Sequence, residues 1–172
     1  MKRQTRGNAH RRSEGLFVTE AACGRVEEDK IIQQALTILE TRCCSGEPIG
    51  SPDTVSRYLR LKLGSLKNEC FAVLYMNARH EVLTFREHFH GTIDGATVYP
   101  RVIVQAALEV NAAAVIFAHN HPSGVAEPSE ADRQITRKLI QALSLVEIRV
   151  LDHLVVSAKN VVSFAERDLL YR

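Results

Sequence analysis

No apolar stretch in this 172-residue chain approaches the about 20 residues that a membrane-crossing helix needs. The run from Ala112 to Ala118 is representative, and it is far too short. No apolar segment follows the basic N-terminus, so neither a secretory signal nor a membrane anchor is expected, and the default compartment is the cytoplasm. Cysteine is sparse. Cys23, Cys43, Cys44 and Cys70 have spacings that fit no zinc knuckle or redox pair, which leaves reduced, ordinary thiols. Internal repeats and low-complexity segments are absent. The net charge of +2 is too small to argue for nucleic-acid binding over the whole chain.

What is present fits one ordinary domain with a short extension: 45% apolar and 24% charged residues, as in a soluble globular protein. The extension is basic. "MKRQTRGNAHRR" holds five Lys/Arg and no acid, enough for weak, sequence-independent, salt-sensitive contact with nucleic-acid phosphates. The competing reading is a soluble tail with no partner. Residues 1–25 as a whole lack a sustained period and read as a flexible basic arm.

From Glu27 the pattern turns helical, with Ile31, Ala35 and Ile38 on one face, and "SGEP" at Ser45–Pro48 stops it. Residues 26–50 are therefore a helix and linker. Ser51-Pro52-Asp53 reads as a cap followed by proline at the first helical position, and Val55, Tyr58, Leu59 and Leu66 give this second helix its apolar face. Glu69 to Asn77 and Val82 to Phe89 read as two strands of a hairpin. Asp94-Gly95 marks a turn, and Pro100 to Asn111 favours a helix. Ala112 to Ala118 suits a strand covered on both faces. A helix follows from Ser129 to about Leu145, with Ile135, Leu139 and Leu143 inward. Short strand pieces at 148–150, 154–156 and 160–164 close the chain. Interleaved helices and strands from residue 52 predict an α/β or α+β sheet domain with helices packed upon it.

The chemistry concentrates in "AHNHPSGVAEPSEAD", Ala118 to Asp132. A buried histidine needs partners for both ring nitrogens. On an extended chain His119 and His121 project to the same side, as two imidazoles converging on one ion do. Asp132, in the first turn of the next helix, supplies a third ligand, and three protein ligands to Zn2+ leave a fourth position for water. Zinc lowers that water's pKa to roughly 7. Two plainer readings compete. Ser129 and Asp132 form a capping box, and the histidines are loop residues bonded to water. The literal string "HNH" carries little weight, because nucleases of that name spread those residues over a finger.

His119-x-His121-Pro122, six residues, then Ser129-x-x-Asp132 matches the JAMM motif of MPN-domain metallopeptidases. "FHGTIDGATVYPR", "NAAAVIFAHNHPSG", "EPSEADRQITRKL" and "RVLDHLVV" extend the likeness, and from about Pro52 to Leu170 the chain resembles the RadC family, historically labelled as DNA repair proteins. The resemblance implies a three-layer α/β/α, cytidine-deaminase-like JAMM/MPN domain with a mixed sheet over residues 51–172. It also implies a zinc metallohydrolase acting on a peptide or isopeptide substrate. Its zinc ligands fall on His119, His121 and Asp132. Its general base falls on Glu69, with Glu87 as a rival, and its oxyanion donor on Ser129. Asp152 and His153 fit the pattern as a buried polar pair or as partners of a ligand imidazole.

The chain departs from the family at Val102, where members read Pro-Arg-Glu, and it resembles short forms lacking the helix-hairpin-helix that precedes the domain in full-length members. An alternative function is a non-catalytic DNA-maintenance module with a structural metal.

Overall fold

The structure, a computed structural model, describes residues 15–43, 52–91 and 97–170, with side chains from residue 26 onward in the first of these ranges and only as far as residue 41. The chain divides into two compact units, Met1–Ala35 and Leu36–Arg172.

Helix α1 runs from Gly15 to Cys43, starting well before the expected Glu27. No proline lies between residue 15 and Pro48, and Ala21 and Ala22 favour helix. The acids at 27–29 therefore sit inside the helix rather than at its start. The basic segment 1–12, the "SGEP" stop, Ser51 and the Asp94-Gly95 turn lie outside the described residues. The expected apolar face also shifts. Ile31 and Ile38 are exposed, whereas Leu36 is buried and Leu39 packs against the core. Both stripes are apolar in the sequence, and only packing selects between them.

Helix α2, Pro52–Leu63, buries Val55, Tyr58, Leu59 and Leu63. It ends at Gly64, where a Cβ would lie 2.5 Å from the Arg60 carbonyl oxygen. Strands β1 (Cys70–Met76) and β2 (Val82–His90) form the expected antiparallel hairpin. Helix α3 covers Pro100–Glu109. Asn111 then adopts a left-handed φ of 54°, and the Ala112 N–H returns to the Ala107 carbonyl at 2.9 Å. This closure uses Ala112, and the next strand starts two residues later than expected: β3 is Ala114–Asn120. Helix α4, Glu130–Ser144, buries Thr136, Leu139 and Leu143. The pieces at 148–150 and 154–156 form one strand, β4 (Arg149–Val156), and β5 is Val161–Ser163.

The sheet order is β2-β1-β3-β4-β5. β1 is antiparallel to β3, whereas β3 and β4 are parallel and joined by α4. Alternation along β1 divides the core. Phe71, Val73 and Tyr75 meet Ile103 and Ala107 of α3 and Leu139 and Leu143 of α4. Cys70, Ala72, Leu74 and Met76 meet α2 on the opposite face. The result is a three-layer α/β/α domain with a mixed sheet. Leu59 and Leu139 are completely buried, and truncating either to alanine costs about 2–5 kcal/mol.

Candidate metal centre

β3 is buried along its whole length, so its last residues arrive at the sheet's end in fixed positions. His119 projects to the α3/α4 face and stacks on Phe71 with 12° between ring planes. His121 follows on the same side, held extended by its N–H on the Val156 carbonyl at 2.8 Å. Asn120 points the other way. Its Oδ1 accepts from the Cys70 N–H at 2.8 Å, and its Nδ2 donates to the carbonyls of Asn68 (3.1 Å) and Leu66 (3.3 Å).

Asp132 comes from the first turn of α4. Ser129 caps that helix, and the capping box is complete: the Asp132 N–H donates to Ser129 Oγ, and the Ser129 N–H to Asp132 Oδ2. The capping and ligand readings coexist on one carboxylate. Oδ2 also accepts from Ser129 Oγ at 2.6 Å, leaving Oδ1 3.3 Å from His119 Nε2. The two imidazole Nε2 atoms lie 2.9 Å apart, and His121 Nε2 is 3.5 Å from Asp132 Oδ2. Ligands on a zinc tetrahedron are about 3.3 Å apart, given zinc–nitrogen distances of about 2.0–2.1 Å. The cluster already has that size.

The surrounding hydrogen bonds fix where the ring protons sit. Thr136 Oγ1 donates to the Asp132 carbonyl at 2.5 Å, so it must accept from His153 Nδ1 at 2.6 Å. His153 Nε2 then carries a lone pair and accepts from His119 Nδ1 at 2.8 Å. His121 Nδ1 donates to the Val125 carbonyl at 2.9 Å. Both Nε2 lone pairs consequently face each other and the carboxylate. His153 is buried, and desolvation, then the neighbouring His119, lowers its pKa, consistent with a neutral ring. Burial opposes ionisation of Asp132, but where the imidazoles carry a proton on Nε2 their bonds, with that of Ser129, outweigh this and hold its carboxyl far below the usual range. The Asp132 bond raises the pKa of His121 above 6.5 against desolvation, with help from Val125 and Glu69. With the rings neutral, lone pairs and negative charge converge here, and the three residues form a group that could hold a metal ion in place of that proton.

Glu69 is half-buried at the start of β1. The β1–β3 ladder ends with Phe71 opposite His119, and Glu69, just before β1, lies near enough to His121 for its charge to help raise that ring's pKa. Its carbonyl accepts from the Gly91 N–H at 2.8 Å. Glu87 is elsewhere: it pairs with Ala72 and bonds Cys70 on the α2 face. Ser129 lies beside the cluster, with its hydroxyl proton on Asp132 Oδ2. Asp152 does not pair with the His153 ring. It accepts from Ser163 Oγ at 2.6 Å and helps line a cavity of about 310 Å³ against α2, which His119, His121 and His153 do not line. Asn120, Thr136 and Val125 had been given no role from sequence. Only Thr136, one helical turn after Asp132, carried a readable signal.

A family model described as "RadC-like JAB domain" matches residues 49–169. The chain belongs to the RadC family. Its relatives include a protein named only UPF0758 from Vibrio cholerae, 53% identical over 146 residues, covering 85% of this chain and 92% of that one. A UPF0758 protein from Marinobacter nauticus is 53% identical over 139 residues, covering 81% and 62%. One from Nitrosococcus oceani is 54% identical over 132 residues, covering 77% and 59%. The chain thus spans most of one relative and about three-fifths of the other two. RadC-like JAB membership is consistent with a JAMM-type metallohydrolase fold, and His119, His121 and Asp132 form a group able to hold a metal. No helix among the described residues is long and apolar enough to cross a membrane.

Proposed function

We propose that this RadC-family domain is a zinc-dependent hydrolase of peptide or isopeptide bonds. The supporting observation is the proton arrangement: the outer nitrogens of His119 and His121 donate to His153 and the Val125 carbonyl, turning two lone pairs toward the Asp132 carboxylate. Zinc held by these three residues would supply Lewis acidity, lowering the pKa of a water to about 7 and polarising a carbonyl.

The remaining roles belong to the chain. Asp132 stays ionised, because α4's first turn and Ser129 bond it. The rings of His119 and His153 are held by Phe71 and Phe164, so the nitrogens keep their direction. The Glu69 carboxylate takes a proton from the attacking water as oxygen bonds to the carbonyl carbon, and returns it to the departing amine nitrogen as the C–N bond breaks. Ser129 can donate to the developing oxyanion only by releasing Asp132 Oδ2, so its first role is to orient that carboxylate.

Metal analysis by mass spectrometry tests the ligand set. Near-stoichiometric zinc is expected in the wild type, with none in the His119→Ala/His121→Ala variant. Equal metal in both would refute the assignment. Cleavage of a quenched-fluorescent isopeptide library tests the chemistry, with Glu69→Gln retaining zinc and losing about 10²–10⁴-fold in rate.

A further inference from the structure

On the reverse face of β1 a second group of donor atoms converges. Cys70 Sγ, a Glu87 carboxylate oxygen and a His90 ring nitrogen all lie within 4.8 Å of one another, and His90 Nε2 is 3.6 Å from Glu87 Oε2. Cys70 is buried, whereas Glu87 and His90 reach the surface. Residues three apart on a regular strand point to opposite faces, so Glu87 and His90 share one only because β2 is irregular. Phe71 pairs with Phe89 but Ala72 with Glu87, leaving His88 as an extra residue. This bulge turns Glu87 onto the face where His90 already stands opposite Cys70. The bulge is itself anchored, since His88 Nε2 and the buried Tyr75 hydroxyl are 2.7 Å apart.

We propose that Cys70, Glu87 and His90 form a second cation site, taking a zinc-class divalent ion through one thiolate, one carboxylate and one imidazole. Sulfur with nitrogen suits borderline-soft metals, and the oxygen of Glu87 completes a mixed set that zinc accepts. Donors around such an ion are about 3.3–3.6 Å apart, so the two exposed side chains need to close by about 1 Å. The Cys70 thiol gives up its proton to solvent on binding. With two of three ligands exposed and no further donor in the group among the described residues, the site exchanges its ion readily, unlike a closed structural centre. Its ligand Cys70 adjoins Glu69, and the Cys70 N–H bonds the side chain of Asn120, between the two histidines of the first centre.

Cobalt(II) distinguishes the two centres, because only this one contains sulfur. The probe is Co²⁺ alone, titrated into the full chain carrying Cys23→Ser, Cys43→Ser and Cys44→Ser, so that any thiolate-to-cobalt charge-transfer absorption comes from Cys70. The expected result is a saturable charge-transfer band whose plateau corresponds to one thiolate-bound cobalt per chain, apart from any cobalt held by the first centre. Cys70→Ser abolishes it, His90→Ala and Glu87→Gln each weaken cobalt affinity at least tenfold, and His119→Ala/His121→Ala leaves it intact. His90 and Glu87 are surface residues, so their variants remain informative if Cys70→Ser misfolds. Absence of the band overturns the proposal, and so does a band that His90→Ala and Glu87→Gln leave at unchanged affinity.

Discussion

Replacing Thr136 with valine removes one oxygen from the chain that runs from the Asp132 carbonyl through Thr136 and His153 to His119. The site is completely buried, and valine has nearly the same shape, so the loss is chemical rather than steric. Two effects follow. His153 Nδ1–H loses its acceptor, which costs about 1–3 kcal/mol of folding stability. At about 2–4 °C per kcal/mol for chains of 150–250 residues, the metal-free protein melts several degrees lower. The second effect concerns the metal. Without Thr136 nothing holds the proton on Nδ1 of His153; once it moves to Nε2, His119 must accept there and carry its own proton inward, on the nitrogen that faces Asp132. Lost outer partners of this kind cost about 10–100-fold in metal affinity, or about 1.4–2.7 kcal/mol. The assay is chelator competition for zinc on wild type, Thr136→Val and Thr136→Ser, with melting curves alongside. Serine keeps the oxygen and should restore most of the affinity. Zinc affinity in Thr136→Val within twofold of wild type would refute the proton assignment, as would a serine variant as weak as the valine one.

Further consequences can be measured directly. In metal-free protein the raised His121 pKa gives stability that is fully present below its unfolded value near 6.5 and is lost as pH rises through the folded value. Zinc needs the deprotonated ring, so the zinc-induced rise in Tm should grow over the same interval; a shift independent of pH from 6 to 8 would contradict this. Asn120→Ala leaves the buried Cys70 N–H unpaired, costing about 1–3 kcal/mol, and frees the loop before β1. It should lower the hydrolytic rate more than zinc affinity, whereas equal losses would assign Asn120 to the metal instead. If residues 1–12 touch nucleic acid, salt-dependent binding to duplex DNA should vanish on their deletion, and affinity that survives places the contact elsewhere.

The elements of the domain were legible wherever period and punctuation agreed. Pro52 and Pro100 open helices, Ser129 caps one, and β1 and β2 carry strand-formers on either side of a turn. The misreadings have physical causes. Two apolar stripes on α1 are equivalent until packing chooses Leu36 over Ile31 and Ile38. Asn111 ends α3 as expected, but Ala112 is spent on the same closure rather than on β3, which an apolar run cannot reveal. The histidine pair and Asp132 were visible as ligand types at suitable spacing. Of their partners, His153 was offered for a ligand imidazole only through the family resemblance, since it is 34 positions from His119 and the parallel β3–β4 pairing brings the strands together, whereas Thr136 and Val125 were given no role. The bulge at His88, which removes Glu87 from the first centre, likewise has no mark in the sequence.

Topology explains why the chemistry sits at this end of the sheet. β3 is paired in both senses, parallel to β4 and antiparallel to β1. Parallel pairing requires a crossover, and α4 begins where β3 ends, so its first turn delivers Asp132 beside His119 and His121. Antiparallel pairing makes β1 start where β3 finishes, which brings Glu69 to the same edge although 52 positions separate it from His121. Asn120 fastens that junction from the reverse face. Side chains alternate with a period of two, so a one-residue slip of β1 against β3 would send Glu69 to the α2 face and carry Cys70 round toward the histidines. The burial of Phe71, Val73 and Tyr75 on one side and Ala72, Leu74 and Met76 on the other forbids that slip. The hydrophobic pattern of β1 therefore sets which face of the strand lies beside His119, His121 and Asp132.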